Sequence, residues 1–142
     1  MIKCIKKSLF FLFLLYLFIN NTLQAQNNDF YNLDSIMPPV NYENIFVKQL
    51  YHDSSDVSSF LILIKKEVKS HKHLSHAEHV YVLEGEGIMQ LGKISKKIKK
   101  GDFIFIPKNT FHSVITTSVI PLKVISLQSP FFDGNDRILK DD

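Results

Sequence analysis

Residues 80–106 read VYVLEGEGIMQLGKISKKIKKGDFIFI and indicate the fold class more clearly than any other part of the chain. Short runs of β-branched and aromatic residues alternate here with glycine-containing turns, and this pattern is typical of consecutive strands. Similar runs occur on both sides, at residues 60–64, 114–117 and 122–127. No long segment after residue 25 has the periodicity of an amphipathic helix. We therefore predict an all-β fold, either a sandwich or a barrel.

One of these runs predicts a contact between subunits. Residues 60–64, FLILI, are apolar without alternation, as expected of a strand that is covered on both faces. The interior of a barrel covers only one of these faces, so we expect a second subunit to cover the other. The sequence therefore predicts a homodimer.

The first 25 residues have the composition of a secretory signal peptide. Three lysines precede the apolar run of residues 8–19, and Ala25 offers a small residue at the cleavage point. An uncleaved membrane anchor is the alternative, but the run of about 11 apolar residues is well short of the roughly 20 that span a bilayer. We expect residues 1–25 to be removed and the mature protein to be secreted or periplasmic.

Removal of this segment changes the charge balance. The whole chain of 142 residues carries 17 basic and 14 acidic side chains, a formal net charge of +3. Three of the basic side chains lie in the signal peptide, so the mature chain has 14 of each kind and no net charge. We therefore expect no binding to nucleic acid and none to a membrane after cleavage. Cys4, the only cysteine, is lost with the signal, so the mature domain has no disulfide.

The mature chain is long enough for one domain with its own core. Residues 26–42 are polar and contain two consecutive prolines, which predicts an exposed arm. We place the domain at residues 43–130 and a C-terminal tail at residues 131–142. Residues 96–100, KKIKK, are expected to charge a hairpin edge instead of forming a binding patch. Residues 133–136, DGND, lack most ligands of a calcium loop and predict a tight turn.

The histidines form an unusual constellation. Four of the six lie within nine residues, as His71, His73, His76 and His79. His71 and His73 are two residues apart and therefore project from the same face of a strand, where two neutral imidazoles can bind one metal ion. Glu78 follows across a turn and can return a carboxylate to that face, and His112 begins a distant strand. We interpret His52, His76 and His79 as surface or core residues outside the metal site.

Two motifs around these residues resemble those of the cupin family. The first motif is matched, over its metal-binding part, by His71-Lys72-His73, Glu78 and Gly85. The second is matched by Gly101, Pro107 and His112. With flanking strands the resemblance covers residues 43–130. It implies a double-stranded β-helix, or jelly-roll, barrel in which a metal ion is held by His71, His73, Glu78 and His112.

The chain departs from the family pattern at three positions. Lys65 stands where the first motif opens with glycine, Asn109 replaces a glycine after Pro107, and Thr116 replaces the closing asparagine. Asparagine tolerates the left-handed backbone conformation best after glycine. None of the departures removes a ligand, so they concern the loop geometry and not the expected metal site.

Three imidazoles and one carboxylate suit a divalent transition metal ion, one of Mn, Fe, Zn, Cu, Ni or Co. Four protein ligands leave open positions on an octahedral ion for substrate, water or dioxygen. With the resemblance, this predicts a metal-dependent enzyme of dioxygenase or isomerase type that acts on a small oxygen-rich or aromatic molecule. The sequence identifies no catalytic acid or base, because Tyr81 is expected to face away from Glu78. Glu84 and Glu86 are expected to lie outside the barrel.

Two other functions stay open at this point. The first is a module that binds a small molecule or a metal without turnover, which the lack of an evident acid or base favours. The second is a barrel in which the metal serves only to stabilise a fold without disulfides.

Overall fold

The computed structural model describes residues 30–52 and 55–140. Within these ranges the chain forms ten strands and no helix, which confirms the predicted all-β class. The strands are β1 Ile45–His52, β2 Ser58–Ile64, β3 Glu67–Lys72, β4 Ala77–Glu84, β5 Glu86–Leu91, β6 Ile94–Lys99, β7 Phe103–Ile106, β8 His112–Thr116, β9 Leu122–Ser129 and β10 Ile138–Leu139. The described residues therefore include no helix that is long and apolar enough to cross a membrane. The predicted signal peptide lies outside the described residues.

Two five-stranded antiparallel sheets enclose one core. The strand order is β1-β2-β9-β4-β7 in the first sheet and β10-β3-β8-β5-β6 in the second. The chain crosses repeatedly from one sheet to the other, which is the arrangement of a double-stranded β-helix. Both sheets contribute to the buried core of Ile64, Val82, Met89, Ile98, Ile106, Val114, Leu122 and Val124. The predicted jelly-roll barrel is thus confirmed.

The burial of strand β2 on both faces of its sheet explains why its sequence is apolar without alternation. Its isoleucines pack into the core, whereas Leu61 and Leu63 point to the other face of the sheet. Both leucines are nonetheless buried, with 0% and 9% of their surface exposed. Lys123, which lies opposite Leu63 on β9, forms an ion pair with Asp34 at 3.1 Å and so holds the N-terminal segment against this face. The burial of β2 requires no second subunit, and the homodimer stays a prediction.

Exposed apolar side chains lie farther along the same outer face, on β4 and on the edge strand β7. Tyr81, Phe103 and Phe105 are 42%, 61% and 50% exposed. The ring of His79 lies 5.8 Å from that of Phe103 and 5.0 Å from that of Phe105. Tyr81 points away from the buried Glu78, as expected. We call these four side chains the aromatic patch.

The lysine-rich segment lies where the sequence predicts it. β5 and β6 form a hairpin around Gly92, and β6 is the last strand of its sheet. The lysines of β6 are exposed, and Lys97 forms an ion pair with Glu86 at 2.6 Å. Charged side chains on an open edge disfavour pairing with another sheet.

Two turns depend on a left-handed backbone. Gly85 joins β4 to β5 with a φ of +77°, and a Cβ there would lie 2.7 Å from the carbonyl oxygen of Pro121. Asn109 has a φ of 57°, so the residue that replaces the family's glycine adopts the conformation that glycine favours. At another departure, the Thr116 hydroxyl donates a hydrogen bond to the carbonyl oxygen of Ile64 at 2.9 Å. The loops accommodate both departures.

Candidate metal centre

The structure brings the four residues of the predicted metal site together. His71 on β3 and His112 on β8 are directly opposite each other in the strand register. His73 follows the end of β3, and Glu78 reaches the same point from β4 in the other sheet. All four side chains are buried. Strand alternation turns them into the barrel, as the His-x-His spacing predicts.

The hydrogen bonds of the three imidazoles define which nitrogen is free. His71 Nδ1 lies 2.8 Å from the carbonyl oxygen of Lys69, and His112 Nδ1 lies 3.0 Å from that of Thr110. His73 Nδ1 bonds the carbonyl oxygen of Asp136. A carbonyl oxygen only accepts hydrogen bonds, so each Nδ1 carries the proton and donates it. In the neutral form of such a ring the Nε2 atom has a lone pair, and this is the form in which histidine binds metals.

The Nε2 atoms face the carboxylate of Glu78, which when ionised accepts hydrogen bonds and donates none. Glu78 Oε2 lies 3.7 Å from His73 Nε2 and 3.4 Å from His112 Nε2. The buried His112 Nε2 has no hydrogen-bond partner among the described residues. A cation between these atoms would satisfy both the carboxylate and the imidazole lone pairs, and two atoms that bind one ion at about 2.1 Å lie roughly 3 to 3.5 Å apart. The donor set therefore fits a divalent transition metal ion.

The protonation states at neutral pH suit this role. In the metal-free protein burial alone would raise the pKa of Glu78, but the neighbouring His112, the Ser126 hydroxyl and His73 outweigh it and lower that pKa to about 2. Ser126 is fully buried and donates from Oγ to Glu78 Oε1 at 2.5 Å. Burial, with the neighbouring His112, lowers the pKa of His71 to about 3. Glu78 is thus ionised and His71 neutral, as metal ligands must be.

The three other histidines differ in their surroundings. His52 and His79 lie outside the site, where His52 Nδ1 is 3.2 Å from Ser58 Oγ and His79 belongs to the aromatic patch. His76, in contrast, is 1% exposed and its ring centroid is 4.2 Å from that of His73. Its Nδ1 lies 3.1 Å from Asp136 Oδ2, at an angle outside that of a hydrogen bond. His76 is therefore a buried neighbour of the metal site.

A feature that the sequence did not reveal is the packing of residues 131–139 across the metal site. We call this segment the C-terminal clasp. The Asp136 carboxylate accepts hydrogen bonds from the backbone N–H groups of Leu74 and Ser75, both at 2.8 Å, and from the Ser75 hydroxyl. Burial opposes ionisation of Asp136, but these donors outweigh it and lower its pKa. Beyond it, β10 pairs with β3, with Leu139 opposite His71.

Asp136 thus connects the clasp to the predicted ligands by two routes. Its carboxylate bonds the turn that follows His73, and its backbone carbonyl orients the His73 ring. The tight turn predicted at residues 133–136 is present, because Asp133 Oδ1 accepts from the backbone N–H groups of Asn135 and Asp136. His73, His76 and Asp136 also form a second group of side chains close enough to share an ion. The carboxylate of that group is already engaged by three donors.

A cavity of about 180 Å³ opens onto the four predicted ligands. Its walls are mostly apolar and include Ile45, Val47, Phe60, Ile62, Val68, Met89 and Phe132. The phenylalanine rings meet edge to face, with 6.4 Å between the centroids of Phe60 and Phe132. Gln128 adds a buried Oε1 without a hydrogen-bond partner among the described residues. The cavity can therefore hold a small, largely apolar molecule with its polar end at the ligands.

The architecture of the barrel and its buried donor groups identify the kind of protein. A double-stranded β-helix with three buried histidines and one glutamate belongs to the small barrels that can hold a divalent metal ion. Residues 60–128 match the cupin domain family, and the chain belongs to the cupin family. An uncharacterised protein of Aquifex aeolicus is 34% identical over 87 residues, which are 61% of this chain and 71% of the relative.

Two solved structures illustrate the likeness in fold. KdgF from Halomonas sp. has a TM-score of 0.65 at 23% identity, and the match covers 76% of this chain and 97% of KdgF. A variant of Streptomyces PAC13, solved with uridine, has a TM-score of 0.64 at 14% identity, with 81% of this chain and 92% of PAC13 covered. PAC13 is described as a nucleoside dehydratase. At these identities the likeness establishes the fold alone.

Proposed function

We propose that the protein is an exported, metal-dependent cupin enzyme that acts on a small oxygen-rich or aromatic molecule, in a reaction of dioxygenase or isomerase type. The observation that carries the proposal is the cluster of the three buried imidazoles of His71, His73 and His112 beside the carboxylate of Glu78. These four side chains would hold a divalent transition metal ion. The ion would supply a Lewis acid to a substrate oxygen atom.

The protein's own side chains orient the site and surround it with mostly apolar walls. Ser126 and the carbonyl oxygens behind the histidines fix the four side chains, and fixed surroundings of this kind strengthen metal binding. The mostly apolar walls offer water few hydrogen-bond partners, and electrostatic interactions are stronger in surroundings of low dielectric constant. Phe60 and Phe132 present aromatic surface to the occupant.

The size of the cavity limits the substrate. An apolar cavity of about 150 Å³ holds one benzene molecule. The 180 Å³ of this cavity therefore suits a single ring with one or two substituents.

The test begins with elemental analysis of residues 26–142, purified from the compartment to which the protein is exported. We expect close to one transition metal ion per chain, and none in the His71→Ala/His112→Ala double variant. His79→Ala, outside the site, is the matched control and should keep its metal. Turnover of a ring-sized substrate by the loaded protein and not by the chelator-treated protein would establish the enzyme. Absence of metal from the wild-type protein would refute the proposal.

A binding module without turnover is the second candidate, and one observation favours it. Among the described residues that line the cavity, the titratable side chains are the four predicted ligands and Arg137. No further acid or base is thus in place to transfer a proton. A ligand that stays bound through purification, with no product after long incubation, would support this candidate. If the metal only stabilises the fold, His112→Ala should lower the melting temperature in the presence of metal while no ligand binds to either protein.

Export and dimer formation belong to the same proposal. The signal peptide of residues 1–25 supports a secreted or periplasmic location, and N-terminal sequencing of the mature protein should find Gln26 first. The aromatic patch supports a homodimer, because its apolar side chains are exposed at a sheet edge. Light scattering after size exclusion should give twice the chain mass, and a monomer would contradict the dimer.

A further inference from the structure

We propose that the cavity selects small carboxylates, and that Arg137 in the C-terminal clasp is the residue that recognises their charge. The inference rests on the proposed function, since it concerns the ligand of the same metal site. It goes further by naming the chemical class of that ligand and a residue that determines it.

The charges around the cavity point to an anion. Arg137 is the one arginine of the chain, and it lines the cavity that the predicted ligands share. Among the described residues that line it, Glu78 is the single carboxylate, and its two oxygens are turned to Ser126 and to the histidines. With a divalent ion in place, the cavity has a net positive charge. Arg137 is exposed to solvent, so water compensates its charge in the absence of a ligand, and a bound carboxylate would replace that water and neutralise part of the charge.

Arg137 is also available to a ligand. No carboxylate of the described residues lies within ion-pair distance of its guanidinium, whereas the exposed Lys97 and the buried Lys123 each have such a partner. An arginine fork binds a carboxylate through two parallel hydrogen bonds.

The clasp holds Arg137 in place from both sides. The preceding residue, Asp136, is anchored to the turn after His73 by its carboxylate. The following residue, Ile138, pairs with Lys72 on β3. With both neighbours fixed, the backbone of Arg137 has little freedom, and a positioned charge loses less entropy when it binds a ligand.

The apolar walls and the volume of the cavity favour carboxylates that carry a ring over other anions. Its walls are apolar and its volume of about 180 Å³ suits a single ring. Phosphate and sulfate have no apolar part to place against these walls, and they cost more to remove from water. A ring carrying one carboxylate matches both the walls and the charge.

The test compares benzoate with benzamide, which have nearly the same shape and differ in charge. Calorimetry on zinc-loaded protein should show benzoate binding at least tenfold more tightly than benzamide. Arg137→Gln should weaken the affinity for benzoate by about tenfold and leave both the affinity for benzamide and the zinc content unchanged. Lys140→Gln removes the same charge just beyond the clasp, and we expect it to have no effect.

The outcomes separate this inference from the proposed function. Failure of the protein to bind zinc would refute the proposed metal site itself. Zinc binding with unchanged benzoate affinity in Arg137→Gln would overturn the role of Arg137 alone. Zinc binding with no benzoate affinity, or with inorganic phosphate bound as tightly as benzoate, would overturn the selection of ring carboxylates.

Discussion

Replacement of Asp136 by alanine should loosen the C-terminal clasp and weaken metal binding at a site that Asp136 does not itself ligate. The substitution removes a carboxylate that accepts hydrogen bonds from the backbone N–H groups of Leu74 and Ser75, each at 2.8 Å, and from the Ser75 hydroxyl. The backbone carbonyl that orients His73 remains, but nothing then fixes its position.

The size of the effect follows from these three hydrogen bonds. A hydrogen bond to a charged group contributes roughly 1.5 to 3 kcal/mol, and less where water can replace the lost partner. Because the donors are partly exposed, we assign about 1 kcal/mol to each bond, or about 3 kcal/mol in total. In a domain of this size that loss lowers the melting temperature by roughly 10 °C. Loss of an oriented neighbour typically costs a metal site about tenfold in affinity.

Three measurements check the prediction. Calorimetric melting of the chelator-treated protein reports the stability, and competition with a chromophoric chelator reports zinc affinity. Hydrogen exchange of the Lys140 amide reports the clasp directly, because that amide bonds the carbonyl oxygen of Ser70 at 2.9 Å. Its exchange should accelerate in Asp136→Ala while amides of the central strand β9 stay protected.

The control is Glu67→Ala, which removes an exposed carboxylate from β3 and should change none of the three measurements. Asp136→Asn keeps one acceptor oxygen and should give an intermediate result. If Asp136→Ala has the melting temperature, zinc affinity and Lys140 exchange of the wild type, the account of the clasp is wrong.

Three further predictions concern the barrel and the metal site. Because the pKa values of His71 and Glu78 are lowered to about 3 and about 2, the unfolded chain binds more protons than the folded one. Urea unfolding of the metal-free protein should therefore show full stability above pH 6.5 and a lower free energy of unfolding in acid. His71 contributes to this loss between pH 6.5 and 3 and Glu78 below pH 4.5, each by at most about 1.4 kcal/mol per pH unit. A free energy of unfolding that stays constant down to pH 4 would contradict the prediction. Gly85→Ala puts a Cβ 2.7 Å from a backbone oxygen at a φ of +77° and should cost about 3 kcal/mol in urea unfolding, so a change below 1 kcal/mol would show that the turn can relax. Ser126→Ala should lower zinc affinity about tenfold, whereas Ser113→Ala should not change it. Equal zinc affinities of the two variants would show that the hydrogen bond to Glu78 does not contribute to metal binding.

The sequence predicted those parts of the molecule that depend on local pattern. Short runs of β-branched and aromatic residues between glycine turns are sufficient to indicate strands, because alternation and turn chemistry are local properties. The spacing of His71 and His73 likewise fixes a common face as soon as the segment is a strand. His112 and Glu78 came from motifs whose order along the chain determines their place in the barrel.

Contacts between distant segments could not be predicted from local sequence patterns. Asp136 is 62 residues from Leu74, and Ser126 is 48 residues from Glu78, so only the packed barrel brings each pair together. His76 lies in the turn after β3, where strand alternation no longer tells which way a side chain points. The two apolar faces of β2 suggested a second subunit, although the same chain covers both.

The pairing of His71 with His112 has a consequence for the folding of the barrel. The two residues are opposite each other in one register of β3 and β8, and a slip by one position would turn one of the imidazoles outward. A chain with shifted strands would therefore lack the complete donor set and could not retain the ion. Zinc uptake during refolding would then measure the fraction of molecules in which β3 and β8 have reached their native register, without any probe attached to the protein.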